Sequence, residues 1–142
     1  GAFYKKYSDN LKAVSRAKKL TYKPTTKKLK ESLLVTGFVT EKGDYFEQEF
    51  NFFKFMMTKS RGIRRMVSAA LDMCYVASGN FDCFWERGLS PWDVAASGLI
   101  VQEVGLEVTD YDGQKFHPFQ ETIVCARKSI HKEMLSLFQL RL

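Results

Sequence analysis

Cysteine is sparse in this 142-residue sequence. Cys74, Cys83 and Cys125 are odd in number, far apart and never in C-x-x-C spacing. That pattern argues against a structural zinc site and against a disulfide framework. It reads instead as free buried thiols in a reducing, cytoplasmic setting. Histidine is sparser still. His117 falls in a polar loop before Pro118 and His131 in the first turn of a terminal helix, and neither has a partner at metal-ligand spacing. No serine or cysteine stands in a nucleophile elbow. No apolar run approaches the ~20 residues of a membrane-spanning helix. No apolar segment near the start has the form of a signal peptide. Internal repeats and low-complexity domains are missing as well.

What is present is the make-up of an ordinary globular domain: 45% apolar and 27% charged residues in a chain long enough to bury a core. Twelve phenylalanines imply several aromatic contact surfaces. Residues 1–142 therefore read as a single domain or half-domain. The net charge of +6 is uneven. Residues 1–30 hold ten Lys/Arg against one Asp, a local +9, while the remainder holds twelve against fifteen acids, a local −3. The basic segment 5–30, broken by Pro24, reads as a hairpin or loop. Clustered lysines attract phosphate backbones, but only Phe3, Tyr4, Tyr7 and Tyr22 interleave with them. A solvated face is the better reading, and nucleic-acid binding is the least supported function.

Along the chain, 32–39 (SLLVTGFV) reads as a buried strand and 41–44 as a turn. Residues 45–59 form a helix, with Phe46, Phe50, Phe53 and Met57 at three- and four-residue steps predicting a core-facing stripe. A short strand at 62–66 leads into a helix at 68–77, which Ser68 can cap and Ser78-Gly79 stops. Small residues at 68–70 leave room for an oxygen-rich ligand at the helix start, or for tight helix–strand packing. Strands follow at 81–86, 106–109 and 122–126, with a turn at Asp112-Gly113. An amphipathic helix at 129–140, built on Ile130, Met134, Leu137 and Phe138, ends the pattern. Such alternation implies an α/β fold with a mixed sheet flanked by helices.

The central stretch is SGNFDCFWERGLSPWDVAASGLIVQEVG, residues 78–105. Glu86 ends a strand. Asp93, after Pro91 and before Val94-Ala95-Ala96, reads as a helix N-cap whose spare oxygen can face a cation. A plain cap is the bland alternative.

The wording WERGLSPWDVAASGLIVQEVG resembles the C-terminal pattern of the inositol monophosphatase family, W-D-x-A-A/G followed by an apolar helix and E-A-G-G. The stretch IRRMVSAALDMCYVASGNFDCFWE resembles the segment that precedes it, and GAFYKK resembles the family's G-A-F-x-N-G hairpin. The resemblance covers most of the chain and is strongest from Arg61 to Asp112. It implies the C-terminal half of an αβαβα layered sandwich, a homodimer, and magnesium-dependent hydrolysis of a sugar or polyol phosphate monoester. Inositol monophosphate, fructose bisphosphate and histidinol phosphate are all handled by relatives.

By the same resemblance Asp93 is a catalytic metal ligand and Glu86 accepts a hydrogen bond from a substrate hydroxyl. Val67, Ser68 and Ala69 match the substrate-contacting G-[ST]-A segment, with Val67 standing where the family has Gly. Val104 and Leu106 depart from E-A-G-G. The family's D-P-I-D-G-T motif and its further Glu ligand have no counterpart here, so the resemblance implies a complementing N-terminal half and little phosphatase activity without it. The alternative is a non-catalytic binding or regulatory module that kept the half-fold.

Overall fold

The computed structural model describes residues 2–4, 18–21, 28–38, 43 and 45–140. Most of the basic segment 5–30, and residues 41, 42 and 44 of the expected turn, lie outside them. Near the start, β1 (Phe3–Tyr4) pairs antiparallel with β2 (Lys18–Lys19), with Phe3 opposite Lys19. The main sheet holds β3 (Leu33–Thr36), β4 (Gly62–Arg64), β5 (Cys83–Arg87), β6 (Glu107–Thr109) and β7 (Thr122–Ala126) in the order β4-β3-β5-β7-β6. Strands β4, β3 and β5 run parallel, and β7 is antiparallel to both β5 and β6. The helices are α1 (Phe46–Lys59), α2 (Ala69–Ala77), α3 (Pro91–Glu103) and α4 (Lys128–Phe138). The expected mixed α/β sheet is present, with element ends displaced by up to three residues.

Strand parity sorts the core into two layers, because successive side chains leave a strand on opposite faces. Val35, Phe84, Ile123 and Cys125 pack with α2 and α3 residues such as Met73, Val76, Val94 and Val101. Leu34, Cys83, Trp85, Val124 and Ala126 pack with Phe52 and Met56 of α1 and with Ile130 and Met134 of α4. All five residues of β7 are buried, which is why TIVCA reads as an unbroken apolar run without alternation. Phe84 and Trp85, back to back in β5, are 0% and 1% exposed. Each contributes roughly 1.5–3 kcal/mol of transfer free energy.

Of the aromatic stripe expected to face the core from α1, Phe53 packs against it, while Phe50 and Met57 do not. Glu49, Phe52 and Met56 point inward, whereas Phe50 is 43% and Met57 59% exposed. Residues 46–57 carry two competing apolar faces, and packing partners choose between them. Phe52 meets Trp85 edge-on at 5.9 Å and stacks on Phe138 at 4.7 Å. The other face forms a ladder of rings, Phe46 on Phe50 and Phe50 on Phe53, closed by Phe38.

Candidate active site

Three parallel strands send their carboxyl ends to one edge of the sheet. From there β4 feeds α2 through residues 65–68, and β5 feeds α3 through residues 88–90. Two helix N-termini therefore arrive beside three strand ends. Their free N–H groups and dipoles favour anions and oxygen-rich ligands, and this edge is where open α/β sheets bind them. Val67, Ser68, Ala69, Glu86 and Asp93 all belong to this edge.

Asp93 is not the N-cap of α3. Ser90 holds that position, Pro91 opens the helix and Asp93 is its third residue. Its Oδ2 accepts the Ser90 N–H at 3.0 Å, the reaching-back half of a capping box. The signal lies in S-P-W-D: proline is favoured at the first helical position, which makes Ser90 the cap, whereas an Asp93 cap would leave Pro91 outside the helix. The correction leaves the carboxylate no less fixed.

Parity places Glu86 with Phe84, on the α2/α3 face. Burial pushes its acid up to about 7, with the Asp72 charge as the next cause and Arg65 opposing. Asp72 lies beneath, 1% exposed, with Oδ1 unpartnered among the described residues. Burial raises it to about 6 against a hydrogen bond from the Ser68 backbone. Sequence reading passed over Asp72, which stands in LDMCYVA as an ordinary helical acid. Only its phase, shared with Met73 and Val76 on the buried side, marks it.

Ser68 occupies the N-cap of α2, but its side chain makes no capping hydrogen bond. The hydroxyl is left for other partners at the edge. Ala69 is buried. Val67 takes φ 64°, the left-handed region, and the residue is 74% exposed. The backbone has thus kept a glycine's conformation under a β-branched residue.

Asp93 and Glu86 offer hard oxygens of the kind magnesium prefers. Among the described residues no group of three or more His, Cys, Asp or Glu side chains could hold a metal ion. The Asp93 carboxylate would fit a single position of a magnesium site, and any further ligands would come from outside the described residues.

Arg87 and both histidines have structural partners away from this edge. Arg87, on the opposite parity from Glu86, pairs with Glu49 at 3.0 Å and Glu121 at 2.8 Å. It lies over the Tyr45 ring at 4.2 Å, in a cavity of about 490 Å³ on the α1/α4 side. His131 is buried and bonded to Thr109 at 2.9 Å, and burial lowers its pKa. His117 Nδ1 accepts the Phe119 N–H within its own loop. Cys83 and Cys125 are buried free thiols and Cys74 is half-buried. Among the described residues no helix is long and apolar enough to cross a membrane.

Comparison with known proteins matches residues 1–141 to the inositol monophosphatase family. The chain is 41% identical over 110 residues to a chloroplastic phosphatase of Arabidopsis thaliana named IMPL1, covering 78% of this chain and 30% of that protein. It is 41% identical over 117 residues to the Pseudomonas aeruginosa protein named Nus factor SuhB, covering 80% and 42%. An inositol monophosphatase structure from Anabaena superposes with a TM-score of 0.76 at 36% identity, covering 89% of this chain and 49% of that one. The match thus spans half or less of the length of these relatives.

Proposed function

The chain belongs to the inositol monophosphatase family, and on that premise we propose that it forms one wall of a magnesium-dependent phosphomonoesterase site for a sugar or polyol phosphate. The observation that carries this reading is the convergence of Glu86, Asp93 and two helix N-termini on the carboxyl edge of three parallel strands.

Each residue has a part that follows from its setting. Asp93 spends Oδ2 on the Ser90 N–H, which holds the side chain in one pose and leaves Oδ1 to serve as a single metal ligand. Glu86, rigid at the end of β5, accepts a hydrogen bond from a ring hydroxyl and so orients the substrate. Val67 and the Ser68 cap lead into α2 at Ala69, where backbone N–H groups face substrate oxygens. When bound, magnesium supplies an activated water and neutralises charge on the leaving oxygen. The remaining ligands belong to the N-terminal half of the same fold, with residues 1–142 as the C-terminal half-domain. A homodimer and a cytoplasmic location complete the proposal, the latter on the free thiols.

A second reading is a non-catalytic binding or regulatory module. It is favoured by the relatives named Nus factor SuhB, and by Val67 in a substrate-contacting position.

Asp93→Asn in the complete protein separates the two. Asn retains an oxygen for the Ser90 N–H, so the far-UV circular dichroism stays unchanged. Magnesium-dependent release of inorganic phosphate from inositol 1-phosphate is abolished. Near-normal turnover in that variant removes Asp93 from the metal site, and no turnover in the unsubstituted protein favours the binding module.

A further inference from the structure

Glu86 is held by a neighbour with no side chain. The parallel register pairs Val35 with Phe84 and Thr36 with Trp85, so its next step sets Gly37 beside Glu86. Parity then points position 37 to the same face as Val35 and Phe84, the face Glu86 uses. The consequence is visible in the packing. A Cβ built on Gly37 would fall inside contact distance of both Glu86 carboxylate oxygens, with Cδ only 2.5 Å away. Gly37 is buried and has no positive φ among the backbone exceptions, so conformational freedom is not what requires glycine here. Space is.

The end of a glutamate is ordinarily free to swing away from such a contact. Here the swing is restricted. Asp72 is the acid whose charge acts most strongly on Glu86, and its own Oδ1 is buried without a hydrogen-bond partner among the described residues. Moving Glu86 toward α2 would press two carboxylates together in a poorly solvated place. The strand end on the other side is also pinned: Thr36 Oγ1 donates to the Trp85 carbonyl, and Arg65 Nη2 donates to the Phe38 carbonyl at 3.3 Å.

We infer that Gly37 is a positioning residue for substrate recognition. Its bare Cα is the seat on which the Glu86 carboxylate rests, and that seat sets the direction in which Glu86 meets a substrate hydroxyl. The inference rests on the reading of Glu86 as the hydroxyl acceptor. It adds a specificity determinant at the carboxyl end of β3, a strand that contributes no charged group to the edge.

Gly37→Ala in the complete protein tests it, with two substrates that differ in whether they offer a ring hydroxyl. Inositol 1-phosphate does, and p-nitrophenyl phosphate does not. Displacing a hydrogen bond to a charged group raises the KM for inositol 1-phosphate about tenfold relative to that for p-nitrophenyl phosphate, with kcat changing less. Shortening the acid relieves the clash, so Gly37→Ala/Glu86→Asp recovers thermal stability lost in Gly37→Ala alone, a readout that needs no turnover. Equal losses on both substrates, or a double variant no more stable than the single, overturn the seat. So does a Gly37→Ala protein that behaves like the parent while Glu86→Gln raises the KM. If Glu86→Gln leaves the KM for inositol 1-phosphate unchanged, the reading of Glu86 itself fails, and the role of Gly37 falls with it.

Discussion

Val67 spends conformational energy without recovering it in contacts. A β-branched residue at φ 64° costs roughly 1–2 kcal/mol relative to a right-handed conformation, and the residue, 74% exposed, buries little in exchange. Glycine at this position loses more unfolded-state entropy, by roughly 0.5–1 kcal/mol. Val67→Gly is therefore expected to stabilise the protein by up to about 1 kcal/mol, read as a higher denaturant midpoint at unchanged slope. A lower midpoint would mean that the side chain is covered in the complete protein. The acids behind it make a second expectation. Glu86 is raised from its ordinary 4.5 to about 7 and Asp72 from 3.8 to about 6, both chiefly by burial. A raised acid contributes stability that is full below its unfolded value and is lost as pH rises through its folded one. Stability should thus fall between about pH 4 and pH 7. Buried His131 works in the opposite direction, so the informative quantity is the difference between the parent and Glu86→Gln. That variant should flatten the upper part of the fall, and parallel pH profiles would contradict it.

Elements were legible where one local signal outweighed all others. TIVCA has five apolar or β-branched residues in a row, and its strand ends where the sequence reading put them. Helix α1 was readable as a helix but not for the face it turns inward, because Phe46/Phe50/Phe53 and Phe52/Met56 are both plausible stripes. Only the positions of Trp85 and Phe138, far away in sequence, decide between them. The start of α3 was misplaced for a different reason: Asp93 is a good cap by type, yet Ser90-Pro91 is a better start by order. Gly37 was invisible as a site residue because its role depends on the register between β3 and β5, which no single strand encodes. Gly98 has a similar dependence within α3. A Cβ there would fall inside contact distance of the Phe116 ring, so the loop before β7 lies directly on the helix. Gly98→Ala should destabilise by roughly 1–3 kcal/mol through overpacking, despite alanine's better helix propensity. Phe116→Leu in the same background should return part of that loss in thermal denaturation. A stabilised Gly98→Ala would show that propensity wins and that the ring has room to move.

At the scale of the whole molecule, packing and site chemistry are supplied unequally by the described residues. Two cores close on both faces of the five strands, so the described residues hold a substantial apolar interior. The site edge is another matter. It gathers Glu86, Asp93 and two helix N-termini, but among the described residues no set of three acids, histidines or cysteines can hold an ion. The matched Anabaena structure is about twice as long as the part this chain covers. Stability and activity should therefore separate. Produced alone, residues 1–142 should give no magnesium binding signal in isothermal titration calorimetry at millimolar metal, because a single carboxylate cannot offset the dehydration of the ion. They should also release no phosphate from inositol 1-phosphate. With the segment that supplies the remaining ligands, magnesium should bind with heat that Asp93→Asn removes. Tight binding to the 142 residues alone would instead place a full set of ligands within them, and the edge described here would not be the metal site.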